Sequence, residues 1–351
     1  MTISIAYAVN IRVLYIGAVR AVILAAAIVA CAAPPPSATT PPPAATSAAS
    51  TPLASAATSA PAAWRRIPDI PTARSEVAAT ALRNEVYVIG GFGGGRVVEI
   101  FDGQRWRRGP DLPVEIDHAM AASVPEGADA GGSAGAGVYV FGGNSPNPIA
   151  RAFRLAPGAT AWREVAAMPG PRSQGAAVAR GTSIFIVGGY DGQRLVAPTY
   201  VYEANVDRWR QVAAIPTPRD HLAAAMIIGR VCAIGGRRLS LTTNLATFEC
   251  YEPGADRWEK MPDAPTARGG VGAAAVGDSL VFVGGEMPSG TYREVELFDP
   301  GTGRWSRLPD LPTPRHGVGV VAVGRTVYVM SGGPTPGGSQ TSVCEAIDLT
   351  R

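Results

Sequence analysis

The stretch Ala264–Trp305, APTARGGVGAAAVGDSLVFVGGEMPSGTYREVELFDPGTGRW, sets the pattern of the chain. It opens with Pro-x-x-Arg, then a run of small apolar residues, a tight turn, and an apolar run with one aromatic that ends in Gly-Gly. A variable loop, Val-Glu-Leu-Phe-Asp, a Pro-Gly turn and Arg-Trp complete it. Short apolar runs bounded by turn residues read as strands, so the stretch predicts four strands, named a to d in chain order. The pattern recurs from Trp64 onward. Gly-Gly doublets begin at Gly90, Gly142, Gly188, Gly235, Gly284 and Gly332, spaced by 52, 46, 47, 49 and 48 residues. All 6 tryptophans keep the same beat, at Trp64, Trp106, Trp162, Trp209, Trp258 and Trp305.

A period of about 50 residues with these marks resembles the kelch-repeat family. The resemblance covers residues 64–351 and implies an all-β fold, a six-bladed kelch-type β-propeller. It implies little about activity, because one architecture hosts unrelated functions. Blades are wedges, so the innermost strand needs small side chains; strand a reads SEVAATA in the first repeat and GVGAAAV in the fifth. Trp64 precedes the first doublet, while the last repeat, ending SVCEAIDLTR, lacks an Arg-Trp strand. Trp64–Ile67 is therefore expected to supply strand d of the sixth blade, which removes an open sheet edge. The insertion VPEGADAGGSAGAG between strands a and b of blade 2 reads as a flexible ornament on the face opposite the b–c loops.

Ahead of the repeats, AVILAAAIVA at residues 21–30 follows Arg12 and Arg20 and has the length of a signal-peptide core. Ile28-Val29-Ala30-Cys31 resembles the lipobox of bacterial lipoproteins, which implies a diacylglycerol thioether on Cys31 and a signal peptide over residues 1–31. An ordinary secretory signal, or an uncleaved anchor extended back through VLYIGAV, are the alternatives. Residues 32–63 are low-complexity Pro, Ala, Ser and Thr, which bury no core and are expected to act as a disordered tether. Together these imply a chain outside the cytoplasm, expected to be lipid-anchored in the bacterial cell envelope. A net charge of +3 is too small to argue for nucleic acid. Lys260 is the one lysine; a compositional bias toward arginine accounts for that without any binding role.

In register, the Pro-x-x-Arg or Pro-Arg element before strand a supplies Arg74, Arg172, Arg219, Arg268 and Arg315, with Ile116 in blade 2. Two residues later stand Glu76, His118, Gln174, His221, Gly270 and Gly317. Strand a lines the channel and positions two apart share a face. The expectation is a ring of guanidiniums over a lopsided tier of Glu, His, Gln and His. The b–c loops add Arg96, Asn144, Arg151, Tyr190, Asp191, Arg194, Arg237, Arg238, Glu286 and Arg293. Guanidiniums bind carboxylates bidentately, so the ring reads as an anion site. The competing role is bonding to carbonyls of the next blade, and the residues alone leave both open.

His118 and His221 are equivalent positions two blades apart, with His316 one place out of register. A metal needs three or four convergent ligands; the spacing offers two, so neither metal nor cofactor is expected. A Glu76/His221 pair has the residue types for proton transfer. Copper radical oxidases use a kelch-like ring but need Tyr and His ligands and a Cys–Tyr crosslink, for which no pair is placed. Sialic acid mutarotases, secreted six-bladed kelch proteins acting on an acidic sugar, match in architecture and compartment without a specific motif. Cys232 and Cys250 lie on adjacent strands of one blade. They are read as two buried thiols, with a bridge in an oxidising compartment as the alternative. The reading that follows is a monomeric envelope binding or scaffold module whose channel mouth takes an anionic peptide or glycan, or engages an envelope protein. An acidic-sugar enzyme and a ligand-free structural protein are the alternatives.

Overall fold

Burial along the strands follows their distance from the axis. In blade 1, strand a (Ala78–Leu82) alternates buried and half-buried residues, as expected where one face looks into a channel. Strand b (Glu85–Ile89) is buried on both faces from Val86 onward, strand c (Val98–Phe101) is buried throughout, and strand d (Trp106–Arg108) is mostly exposed. The computed structural model describes residues 62–128 and 135–349, so the signal segment, Cys31, nearly all of the tether and residues 129–134 of the blade 2 insertion lie outside it. The described residues form six antiparallel sheets; five have strands a to d in sequence order from the axis outward, and the sixth takes its outermost strand from Trp64–Arg66. Strand a of each blade neighbours those of the two flanking blades, so the ring closes. One short 3-10 turn, Leu241–Thr243, interrupts this all-β pattern in a b–c loop.

The sixth blade closes as expected. Trp64–Arg66 pairs antiparallel with Cys344–Asp348, with Trp64 opposite Ile347, Arg65 opposite Ala346 and Arg66 opposite Glu345. Each hydrophobic cluster belongs to two neighbouring blades, so the core is a set of six seams. At the rim of every seam a strand-d indole donates to a carbonyl of the preceding blade. Trp106 bonds Pro68, Trp162 Pro110, Trp209 Ala166, Trp258 Ala213, Trp305 Pro262 and Trp64 Pro309, all at 2.8–2.9 Å. That explains the six tryptophans. An indole packed on apolar surface still needs a partner for its N–H, and here the partner is always a carbonyl of the preceding blade.

Two details differ from the sequence reading. Cys232 and Cys250 form a disulfide, which corrects the assignment as two thiols. They are directly opposed on strands b and c, with Cα atoms 4.0 Å apart. Cys344 is a buried free thiol. In blade 6, Ser331 rather than Gly332 occupies the first doublet position. It adopts φ 60°, and its amide bonds Val343 as that of Gly90 bonds Val97.

If the seam between the first and last strands completes the ring, removing residues 1–66 exposes the edge of Cys344–Asp348. The truncated protein is expected to melt about 10 °C or more below the intact chain, from several kcal/mol of lost pairing and indole burial. Unchanged melting in scanning calorimetry would mean that closure contributes little.

Candidate functional site

The five arginines are not at the mouth. Arg74, Arg172, Arg219, Arg268 and Arg315 are at most 1% exposed, which corrects their assignment as ligand-binding residues. Each lies inside its own blade, between strands b and c, and not against the next blade. Arg74 reaches the carbonyls of Val88, Gly90 and Val97; Arg219 those of Ala233 and Gly235; Arg268 those of Phe282 and Gly284. Four pair with a buried carboxylate on strand c: Arg74 with Glu99 at 2.7 Å, Arg219 with Glu249 at 2.6 Å, Arg268 with Glu296 at 2.8 Å and Arg315 with Glu345 at 3.1 Å. The threonine two places before each arginine, Thr72, Thr217, Thr266 or Thr313, donates to the other oxygen of the same glutamate. The threonine and the glutamate come and go together, while blade 3 keeps the arginine without them. Blade 2 has Ile116 with Phe153, both buried. Blade 3 has Arg172 lying 4.9 Å over the ring of Tyr200. Burial pulls Arg74 down to about 10 despite Glu99, so it stays charged at neutral pH.

The second tier does converge. Glu76, His118, Gln174, His221, Gly270 and Gly317 all have left-handed backbones, with φ between 51° and 70°. Their amides and carbonyls link head to tail: His118 N–H to Glu76 O, Gln174 to His118, His221 to Gln174, Gly270 to His221 and Gly317 to Gly270, at 2.8–3.0 Å. Val77 N–H closes the circle on Gly317 O at 3.4 Å. Glycine is at ease in this conformation, whereas Glu, His and Gln are strained. The circle narrows the channel to a void of about 70 Å³ with these side chains around it. Beyond it, alanines and other small residues line about 270 Å³ toward the opposite face.

Around Glu76 the polar groups interlock. His118 sets Nδ1 2.6 Å from Asp117 and Nε2 3.3 Å from Glu76. His221 sets Nδ1 2.7 Å from Asp220, and its Nε2 accepts from Arg237 at 2.8 Å. Arg237 is committed further, to Glu286 at 2.7 Å and Asp220 at 3.5 Å. His316, out of register in sequence, is buried and places Nδ1 3.0 Å from Glu76. Burial opposes the Glu76 charge, but His118 and His316 more than reverse it and hold the carboxyl well below its usual range. Burial likewise opposes charge on His118 and His316, yet Glu76 outweighs it and both are raised. For His221 burial wins, and its pKa is lowered. Glu76, His118 and His221 bring three ligand-type atoms within 4.8 Å of one another, one more group than the spacing of the histidines offered. Sequence reasoning missed Asp117 and Asp220, for which the repeated Asp-His dipeptide was the available signal; it named Glu286 and His316 without foreseeing that they meet at this cluster.

The b–c loop arginines separate into two kinds. Arg96, Arg194, Arg238 and Arg293 are exposed on the same face as the tier. Arg237 is engaged as described, and Arg151 pairs with Glu164 at 2.7 Å.

Residues 128–333, more than half of the chain, match the sequence profile described as the KLHDC2/KLHL20/DRC7 Kelch-repeats domain. The chain belongs to the kelch-repeat family. Residues 73–113 of this kelch protein match the Kelch motif as well. No curated protein sequence matches it significantly. A solved structure titled "Structure of YjhT" is similar at a TM-score of 0.69 and 15% identity, over 81% of this chain and 97% of that one. At that identity the likeness shows the fold alone. Kelch propellers are in general binding or scaffold modules, and protein binding is their common work.

If the buried Thr–Arg–Glu triads of this kelch protein hold blades and not ligands, Arg219→Met is expected to cost about 3–5 kcal/mol by stranding Glu249. Adding Glu249→Leu should recover much of that loss in denaturant unfolding. A double variant as unstable as the single one would contradict the pairing.

Proposed function

We propose that this kelch protein is an envelope binding module that takes an anionic peptide or glycan at the mouth bearing the d–a and b–c loops. The observation that carries this reading is the asymmetric polar tier of Glu76, His118, Gln174 and His221 at one end of the channel, with exposed arginines on the loops around it. Arg194 is 86% exposed in its side chain, and Arg238 stands in the next b–c loop. With the five buried arginines assigned to the blades, the loop arginines supply the attraction for anions, and the tier supplies hydrogen bonds from carboxylate, imidazole and amide. The lipobox-like Ile28–Cys31 supports attachment to a membrane through Cys31, with residues 32–63 as spacer. The ligand face needs no second copy, so a monomer suffices.

A second reading, an enzyme acting on an acidic sugar, draws on the shifted pKa values of Glu76 and His118, since perturbed groups in a cleft mark catalytic sites. It uses the same mouth. A structural protein without a ligand would have no use for four strained or charged residues where two blades manage with glycine.

Thermal unfolding against acidic sugars, acidic glycans and acidic peptides tests the module. A ligand at about 100 times its Kd adds about 2.7 kcal/mol. The Arg194→Ala/Arg238→Ala double variant is expected to weaken that ligand about tenfold and to flatten its salt dependence. Equal affinity in the double variant would take the loop arginines out of recognition. For the anchor, Cys31→Ser should move the protein from the membrane to the soluble fraction; continued membrane retention would point to an uncleaved segment.

A further inference from the structure

We infer that the channel mouth holds a divalent transition metal, of which zinc is the best fit, on Glu76, His118 and His221. Three features of these residues point to a ligand set. Their donor atoms lie within 4.8 Å of one another. The His118 Nε2 to Glu76 separation of 3.3 Å is the edge of a tetrahedron whose bonds are about 2.0–2.1 Å long. Each imidazole is held from behind by the aspartate that precedes it, Asp117 on His118 Nδ1 and Asp220 on His221 Nδ1. That bond fixes the tautomer in which Nε2 carries the free lone pair, and it raises the basicity of the ligand; histidines that bind metals are held in this way. An Asp-His pair at the same place in two blades delivers the arrangement twice.

The backbone adds an independent argument. The circle of left-handed residues is satisfied by glycine in blades 5 and 6, at Gly270 and Gly317. Blades 1, 2 and 4 instead accept Glu76, His118 and His221 in that conformation, each with its side chain at the void. The same strain is retained at Gln174 of blade 3, so three of the four strained positions around the void carry ligand-type side chains. Arg237 is the group in the way, since it donates to His221 Nε2. It has alternatives within reach in Glu286 and Asp220, so it can release the imidazole and remain paired. The charges also balance: Glu76 offsets one of the two positive charges, and Asp117 and Asp220 stand behind the histidines. Two histidines and one carboxylate suit zinc and leave a fourth position open. On the reading of the mouth as a ligand site, that position is where an oxygen of the ligand would bind.

The test needs only the metal, so it can fail while anion binding at the loops survives. The full chain, stripped with a chelator, is titrated with Zn²⁺ by calorimetry and with Co²⁺ by visible absorption. One saturable site is expected, with the intense visible bands of four-coordinate Co²⁺. His118→Gly and His221→Gly place at these positions the residue that blades 5 and 6 already carry, so the backbone circle persists; each should weaken binding at least tenfold with melting little changed. Arg237→Ala should tighten binding by freeing Nε2, and His316→Asn should leave it within a factor of about three. Absence of saturable binding would overturn the inference. So would binding that survives both glycine variants, or binding lost with His316 alone.

Discussion

The structure depends on hydrogen bonds that pass from one blade to the next. They form three concentric belts. The outermost is the set of indole N–H groups on carbonyls of the neighbouring seam. In the middle, the amide of a doublet residue bonds the carbonyl at the arginine position of the following blade, from Gly91 on Ile116 around to Gly332 on Arg74. The innermost is the circle of left-handed residues. Hydrophobic seams supply most of the driving force, but they are non-directional. The belts fix how many blades fit and how each is tilted, because a buried amide left without its partner costs about 1–3 kcal/mol. The innermost belt also decides what lines the mouth, since it permits a side chain only where the chain tolerates positive φ.

The Thr–Arg–Glu triads serve the middle belt. The arginine carbonyl is an acceptor there, and its guanidinium ties strands b and c below the Gly-Gly bend. A buried ion pair is weak evidence for net stability, because desolvation cancels much of the attraction. What it fixes is geometry. Blades 2 and 3 show the substitution pattern this predicts: Ile116 faces a blade whose strand c carries Phe153 in the glutamate position, and Arg172 faces Tyr200. No blade keeps one member of a charged pair without some compensation for the other.

The fold was legible in the sequence because a repeat multiplies weak signals. One Gly-Gly or one tryptophan decides nothing, while six of each at a common period specify the ring, its closure by Trp64 and its count of blades. The site was legible by half. Alternation correctly placed Glu76, His118, Gln174 and His221 on the channel, since that depends only on local register. It also put the arginines on the same face, and there it failed: Glu76 is itself left-handed, so two-residue periodicity does not carry across it to Arg74. Partners such as Glu99 and Glu286 lie 20 or more residues from the groups they meet, and pairing at that distance is set by tertiary structure. His316 reached Glu76 across the closing seam, where neighbours in space are furthest apart in sequence.

That seam bears on how the protein comes to be folded. Strand c of the last blade is held between a strand just before it in the chain and one from the very beginning, and Trp64 meets Pro309 across 245 residues. Five seams join neighbours in sequence and can form as the chain is made; the sixth waits for both ends. Contacts of such long range are slow to find, which makes closure of the sixth blade the costliest of the six seams to reach. The native state, once shut, has no blade that lacks its outer strand. Its persistence is then a matter of rate as much as of equilibrium.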